Sequence, residues 1–429
     1  YLKEVSTGNE LIAATLSGST SQSYGHSATY DEQGNIYTGA RNFGVGYPTT
    51  IGAFQVNYGG GGTDIAISKL VPDGTNLIWA TYLGGSQSEF PHSMYVSNLG
   101  ELYLYGSSSS NDFPVTSNAF QNIFDGGNIS DGFSNWDIIV THLSNDGSTL
   151  IGSTFIGGSG IDGQNSASFN YGDTYRGEIV VDLLGNAYVA SFTQSVDFPV
   201  SNNAYQQNLA GGQDGVVFKL NNDLSNLEWS TYIGGSSNDA AFGLRLNNNN
   251  NVFVTGTAGD DSFPTTVNAL NPNNLGLSDG FILELNDQGT NLINSTFYGS
   301  NGEDHSFFID LDSDGYVYIF GQNSGIINPS PNVYSIPNSP QFIAKIDPSL
   351  SVLEWETVIG SGSINGGIAP MPDFIPIAFM VDVCDHIYIS GHSAMAGLEV
   401  TDDAIYTGDQ VGIGFYELVL SVNENDIVF

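Results

Sequence analysis

Most of the residues of this 429-residue chain that could do chemistry are acids. The most specific pattern is Asp310-Leu-Asp312-Ser-Asp314-Gly315, the alternating carboxylates and glycine of a calcium loop. The pattern is incomplete, because Gly321 stands where such a loop places its twelfth-position glutamate. The adjacent acids Glu303-Asp304 and Asp402-Asp403 could serve glycoside hydrolysis, but neighbours on an extended chain point to opposite sides. Six histidines, His26, His92, His142, His305, His386 and His392, are scattered, and even the last two are spaced more widely than a usual zinc pair. No Gly-x-Ser-x-Gly elbow leads into a helix, and no glycine-rich loop ends in Lys-Ser or Lys-Thr.

The charge balance narrows the partners. Seven Lys and Arg face 45 Asp and Glu, a net charge of −38, which repels nucleic acid and anionic lipid and attracts divalent cations. No cofactor is implied beyond the calcium option. Cys384 is the only cysteine, so no intrachain disulfide forms; it follows the apolar run 378–383 and reads as a small buried hydrophobe. No run of eighteen apolar residues occurs that could form a membrane-spanning helix. The chain starts at Tyr1 rather than Met, as expected of a processed or trimmed product.

An internal repeat must position these residues. Thr81-Tyr-Leu-Gly-Gly85 returns as Thr154-Phe-Ile-Gly-Gly158, Thr231-Tyr-Ile-Gly-Gly235, Thr296-Phe-Tyr-Gly-Ser300 and Thr357-Val-Ile-Gly-Ser361, with a degenerate copy at Thr15-Leu-Ser-Gly18. Between the markers come two strands around a four-residue turn, as in 180–189, then a loop signature, Asp112-Phe-Pro-Val115, Asp197-Phe-Pro-Val200 or Ser262-Phe-Pro-Thr265. A third strand follows at 64–70, 137–143, 214–220 and 279–285, and a fourth, with Trp79, Trp229 or Trp355 in three units, ends on the marker. Four short strands per unit, here a to d, joined by polar turns and without helical periodicity, predict an all-β propeller whose blades bury both faces by stacking.

These motifs resemble the bacterial beta-propeller repeat proteins often called seven-bladed, with S-T-Y-L-G-G, V-D-x-x-G-N-x-Y-V and D-F-P signatures. The resemblance spans residues 1–429 and weakens in units five and six, where Asn328-Pro329 and Leu398-Glu-Val400 replace the Phe-Pro pair. It implies a secreted or surface-exposed polypeptide, often part of a longer chain with further domains, and no shared catalytic motif. The strand count gives a single domain over 1–429, with six full units over about 27–429 and an extra c-d pair in 1–18. Seven blades with one incomplete are therefore expected, and six are the alternative.

The repeat also reinterprets the candidate residues. Asp312 aligns with Asp31, Asp182 and Asp382, and with Ser97 and Asn247, all short side chains that cap a turn. Lys69, Lys219 and Lys345 share one position on strand c and are expected to pair with a nearby carboxylate. Arg245 and Asp310 share a strand-a position in consecutive units, which would allow a cross-blade ion pair.

The a-b and c-d turns are short, so the long segments 121–136, 158–177 and 360–375 rise together on the other face. They carry Trp136, Phe169, Tyr171, Tyr175, Arg176, Met371 and Phe374, and aromatic residues with arginine are favoured recognition anchors. The expectation is a non-enzymatic extracellular module of a larger cell-surface or adhesive protein, binding protein or glycan. The alternatives are a carbohydrate-active enzyme (a hydrolase or lyase) and a structural spacer. Sialidase-like propellers need an arginine cluster, and this chain has only Arg41, Arg176 and Arg245.

Overall fold

A computed structural model describes residues 2–4, 11–14, 17–126, 135–166, 172–362, 375–393, 398, 414–423 and 426–428. Among the described residues, the N-terminal strands β1 (Leu2–Glu4) and β2 (Leu11–Ala14) pair only with each other. Six four-stranded antiparallel sheets follow. Blade 1 comprises β3 (Ser23–Tyr30), β4 (Ile36–Asn42), β5 (Asp64–Leu70) and β6 (Leu77–Leu83), and blade 2 comprises β7 (Glu89–Val96), β8 (Leu102–Ser108), β9 (Asp137–Leu143) and β10 (Leu150–Ile156). Blade 3 has β11 (Glu178–Val181), β12 (Ala187–Thr193), β13 (Asp214–Leu220) and β14 (Leu227–Ile233), and blade 4 has β15 (Ala240–Leu246), β16 (Val252–Ala258), β17 (Asp279–Leu285) and β18 (Leu292–Tyr298). Blade 5 contains β19 (Asp304–Leu311), β20 (Val317–Asn323), β21 (Gln341–Ile346) and β22 (Leu353–Ile359), and blade 6 contains β23 (Ile375–Val381), β24 (His386–Ser393), β25 (Gly414–Asn423) and β26 (Asp426–Val428).

The protein is thus a six-bladed all-β propeller, which corrects the seven-bladed expectation in favour of its alternative. The β1-β2 pair was to be the c-d half of a seventh blade, yet among the described residues no a and b strands join it.

The cores lie in the seams between consecutive blades. Val217, Trp229 and Ile233 of blade 3 pack on Ala241, Leu244 and Val254 of blade 4, and Tyr37, Ile65 and Ile67 of blade 1 pack on Met94 and Leu104 of blade 2. Each such side chain contributes about 1.5–3 kcal/mol on burial, so seam formation, not the single sheet, stabilises the fold. It explains why β8, β12 and β16 are buried along their whole length instead of alternating.

The repeated motifs hold one another. The marker threonines Thr81, Thr154, Thr231 and Thr296 accept the backbone N–H of Gln55, Gln121, Gln206 and Asn271, and the first three of these partners accept the N–H of Gly84, Gly157 and Gly234 through their side-chain oxygens. The Asp of the Asp-Phe-Pro loop reaches back to the preceding marker, Asp112 to the Ser86 N–H and Asp197 to the Ser159 N–H, both at 2.8 Å. Trp79 and Trp229 donate across their seams to the carbonyls of Asn145 and Asp287 at 2.8 and 2.9 Å.

The expected ion pairs are present. Lys69, Lys219 and Lys345 lie 3.2, 3.5 and 2.9 Å from Asp31, Asp182 and Asp312, and Arg245 lies 3.2 Å from Asp310 while also binding Glu178. These pairs dissolve the calcium candidate. Asp312 accepts the N–H groups of Asp314 and Tyr316 as a turn cap and faces Lys345, whereas Asp310 faces Arg245 and the Val381 N–H. Among the described residues, Asp310, Asp312 and Asp314 form no three-ligand cluster.

Candidate recognition site on the loop-rich face

The centre of the loop-rich face is filled by one short turn. The 3-10 turn Asp173–Tyr175, just before β11, carries a fully buried Asp173 that takes the Arg176 Nε at 2.8 Å. The Arg176 guanidinium lies 3.7 Å from the centre of the Phe307 ring in blade 5 and donates to the Pro376 carbonyl of blade 6 at 3.2 Å. On its other side Tyr175 meets Phe90 of blade 2 edge-on at 4.6 Å and His26 of blade 1 at 6.0 Å. A turn from blade 3 that touches blades 1, 2, 5 and 6 must sit over the axis, so Asp173–Arg176 plugs the central channel.

This placement divides the expected site. Arg176 is buried and neutralised by Asp173, a structural tie and not a free anchor. Trp136 and Tyr175 do come together, through Phe90, which stacks on Trp136 at 4.7 Å with the planes 20° apart. Phe169, Tyr171, Met371 and Phe374 lie outside the described residues.

At the centre of the cluster is Arg41, next to last in β4. Its guanidinium carbon lies 4.5 Å from the centre of the Phe90 ring, 5.1 Å from Tyr175 and 5.7 Å from the exposed Phe43. Its Nε is buried without a hydrogen-bond partner. Burial, with the Arg41 charge beside it, lowers His26 to about 4, and burial holds His92 well below its ordinary value, so both are neutral near pH 7. The positive charge of this patch therefore belongs to Arg41.

The three long segments point towards Arg176, while Arg41 sits near the end of a strand and outside all three. The signal that could have found it is positional. Strand register places Ser107, Phe192, Thr257, Gln322 and His392 where blade 1 has Arg41, so only this copy puts an arginine or lysine there.

The structure also contains facing carboxylates that sequence reasoning missed. The first residues of four c strands, Asp64, Asp137, Asp214 and Asp279, meet acids that follow the marker of the same unit, Glu89, Asp162, Asp239 and Asp304, over the first glycine of each marker. A methyl group on Gly84 would lie 2.6 Å from the Glu89 Oε2 and 2.8 Å from the Asp64 Oδ1, and Gly157, Gly234 and Gly299 repeat the geometry. All eight acids are fully buried. Desolvation raises Asp64 and Asp162 to about 6 and Glu89, Asp137, Asp239 and Asp304 to about 7, against the backbone and hydroxyl donors that each accepts. Fourfold recurrence in sealed seams marks a device that joins blades, since a catalytic pair must be open to substrate.

Residues 78–114 match the Beta-propeller repeat family, and the chain folds as a β-propeller. No curated protein matches the sequence. Among solved structures, the chain is similar to a protein of unknown function from Dyadobacter fermentans at 12% identity and TM-score 0.43, covering 94% of this chain and 96% of that one. It is similar to the NanB sialidase of Streptococcus pneumoniae at 10% identity and TM-score 0.45, covering 99% and 72%, and to the phage phi92 endosialidase at 14% identity and TM-score 0.44, covering 94% and 68%.

Proposed function

We propose that this chain is a non-enzymatic extracellular interaction module of a larger bacterial surface or adhesive protein, and that its loop-rich face binds a protein or glycan bearing an anionic group. Arg41 takes that group, with Phe43, Phe90 and Trp136 as the apolar platform beside it. The observation that supports this most is the pairing of the cations. Of the lysines and arginines whose side chains are described, Lys69, Arg176, Lys219, Arg245 and Lys345 each pair with a carboxylate, and Arg41 does not, in a chain with 45 acids. A buried guanidinium nitrogen left without a partner costs about 1–3 kcal/mol, which a bound carboxylate would relieve.

Most glycoside hydrolases use two carboxylates facing one another across an open cleft, and the facing carboxylates found among the described residues are sealed in the seams, which favours the binding reading over that one. A spacer has no use for an unpaired cation in an aromatic frame. The reading is tested by applying the chain to an array of acidic and neutral glycans and, in parallel, to a pull-down from the native cell surface. Carboxylate-bearing ligands are expected; ligands that are all neutral, or none in either experiment, would overturn it.

A further inference from the structure

The a-b turn of blade 6 lies on the face opposite the aromatic cluster and departs from its sisters in a coordinated way. In blades 1, 3 and 5 the turn aspartate caps two backbone N–H groups and faces the strand-c lysine, with Asn35, Asn186 or Tyr316 four residues further on. Blade 6 keeps the cap, Asp382 accepting the N–H groups of Cys384 and His386 at 2.8 and 2.9 Å. The lysine is gone. Tyr388 pairs with Val419 where Tyr37, Tyr188 and Tyr318 pair with Lys69, Lys219 and Lys345. In place of the lost cation, the Nδ1 of His386 lies 3.0 Å from the Asp382 Oδ2, and the third turn position holds Cys384. That cysteine is exposed, not the buried hydrophobe its sequence context predicts, because it sits in the turn itself.

One ligand atom from each of Asp382, Cys384 and His386 lies within 4.8 Å of the other two, the only such group of three among the described residues. Two ligand atoms on one tetrahedral zinc ion are about 3.3 Å apart, given bonds of about 2.0–2.1 Å, so the histidine and aspartate are already near that spacing. The two cap hydrogen bonds wrap both ligand-bearing residues around the carboxylate before any ion arrives, which lowers the ordering cost of binding. A set of one oxygen, one sulfur and one nitrogen suits zinc-class ions over calcium or magnesium, and the net charge of −38 favours the approach of any divalent cation.

We propose that the blade 6 turn binds one divalent transition-metal ion of the zinc class through Asp382, Cys384 and His386, leaving a coordination position open to water or an incoming ligand. The probe is cobalt(II) alone, titrated into the reduced, metal-free chain. The expected result is a near-ultraviolet thiolate-to-cobalt charge-transfer band that saturates at one ion per chain and is bleached by zinc. Cys384→Ser should lose the band, and His386→Ala should bind at least about tenfold more weakly. Val419→Lys, which restores the lysine of the sister turns, should also weaken binding while leaving the thiol in place. No band at stoichiometric cobalt, or a band of equal strength in His386→Ala and Val419→Lys, would overturn the assignment.

Discussion

The guanidinium of Arg41, near the end of the second strand of blade 1, lies over the ring of Phe90, near the start of the first strand of blade 2, at 4.5 Å. The pair spans a seam, and Phe90 is held from its other sides by Trp136 and Tyr175. A cation over an aromatic face gains about 0.5–2 kcal/mol and still presents its planar edge to a carboxylate. Recognition and blade packing thus meet in one contact.

The two arginines of the loop-rich face should behave oppositely in stability. Arg176→Ala takes the paired cation away from the fully buried Asp173 and strips the guanidinium from Phe307, so a loss of about 3–5 kcal/mol is expected. Arg41→Ala removes an unpaired cation and should change stability by about 1 kcal/mol or less. Chemical denaturation of both variants beside wild type checks the contrast.

The seam carboxylates give stability a defined pH dependence. All are raised, six of them to about 6 or 7, above the values of an unfolded chain, so between about pH 4 and 7 the folded state holds more protons. Stability should therefore fall as pH rises through that window and level off above it. Denaturation midpoints at pH 5 and pH 8 test the sign. Glu89→Gln, which is neutral and can donate towards the unpartnered Asp64 Oδ1, should flatten the slope and raise stability at pH 8 by on the order of 1 kcal/mol.

Gly147 tests the seam on the other face. Its φ of +69° is one that side chains rarely adopt, and a methyl group there would lie 2.4 Å from the Trp79 ring. Gly147→Ala should cost about 2 kcal/mol or more, measured as a drop in melting temperature.

The blades were legible because each unit repeats a complete set of local instructions. The c strands 64–70, 137–143, 214–220 and 279–285 coincide with β5, β9, β13 and β17 to the residue, and the shared lysine position led to the Asp31, Asp182 and Asp312 pairs. What the sequence did not reveal depends on contacts between distant units. Arg176 looked free because two of its partners, Phe307 and the Pro376 carbonyl, arrive from blades 5 and 6. The acids over Gly84, Gly157, Gly234 and Gly299 come from different blades, 25 residues apart in every pair, and only stacking shows that they face each other. Arg41 announces itself only when aligned strand by strand with its sisters. Blade number was decided by pairing, since a c-d strand count cannot say whether the extra pair finds partners.

The central claim is that Arg41 anchors an anionic ligand on the loop-rich face, and its most direct test is to run the array and the pull-down with wild type and Arg41→Ala side by side, after both are shown to melt alike. Carboxylate-bearing ligands retained by wild type and lost by at least about tenfold in Arg41→Ala, as expected for removing one charge-assisted anchor, are the predicted result. Equal retention of the same ligands by both chains would contradict it.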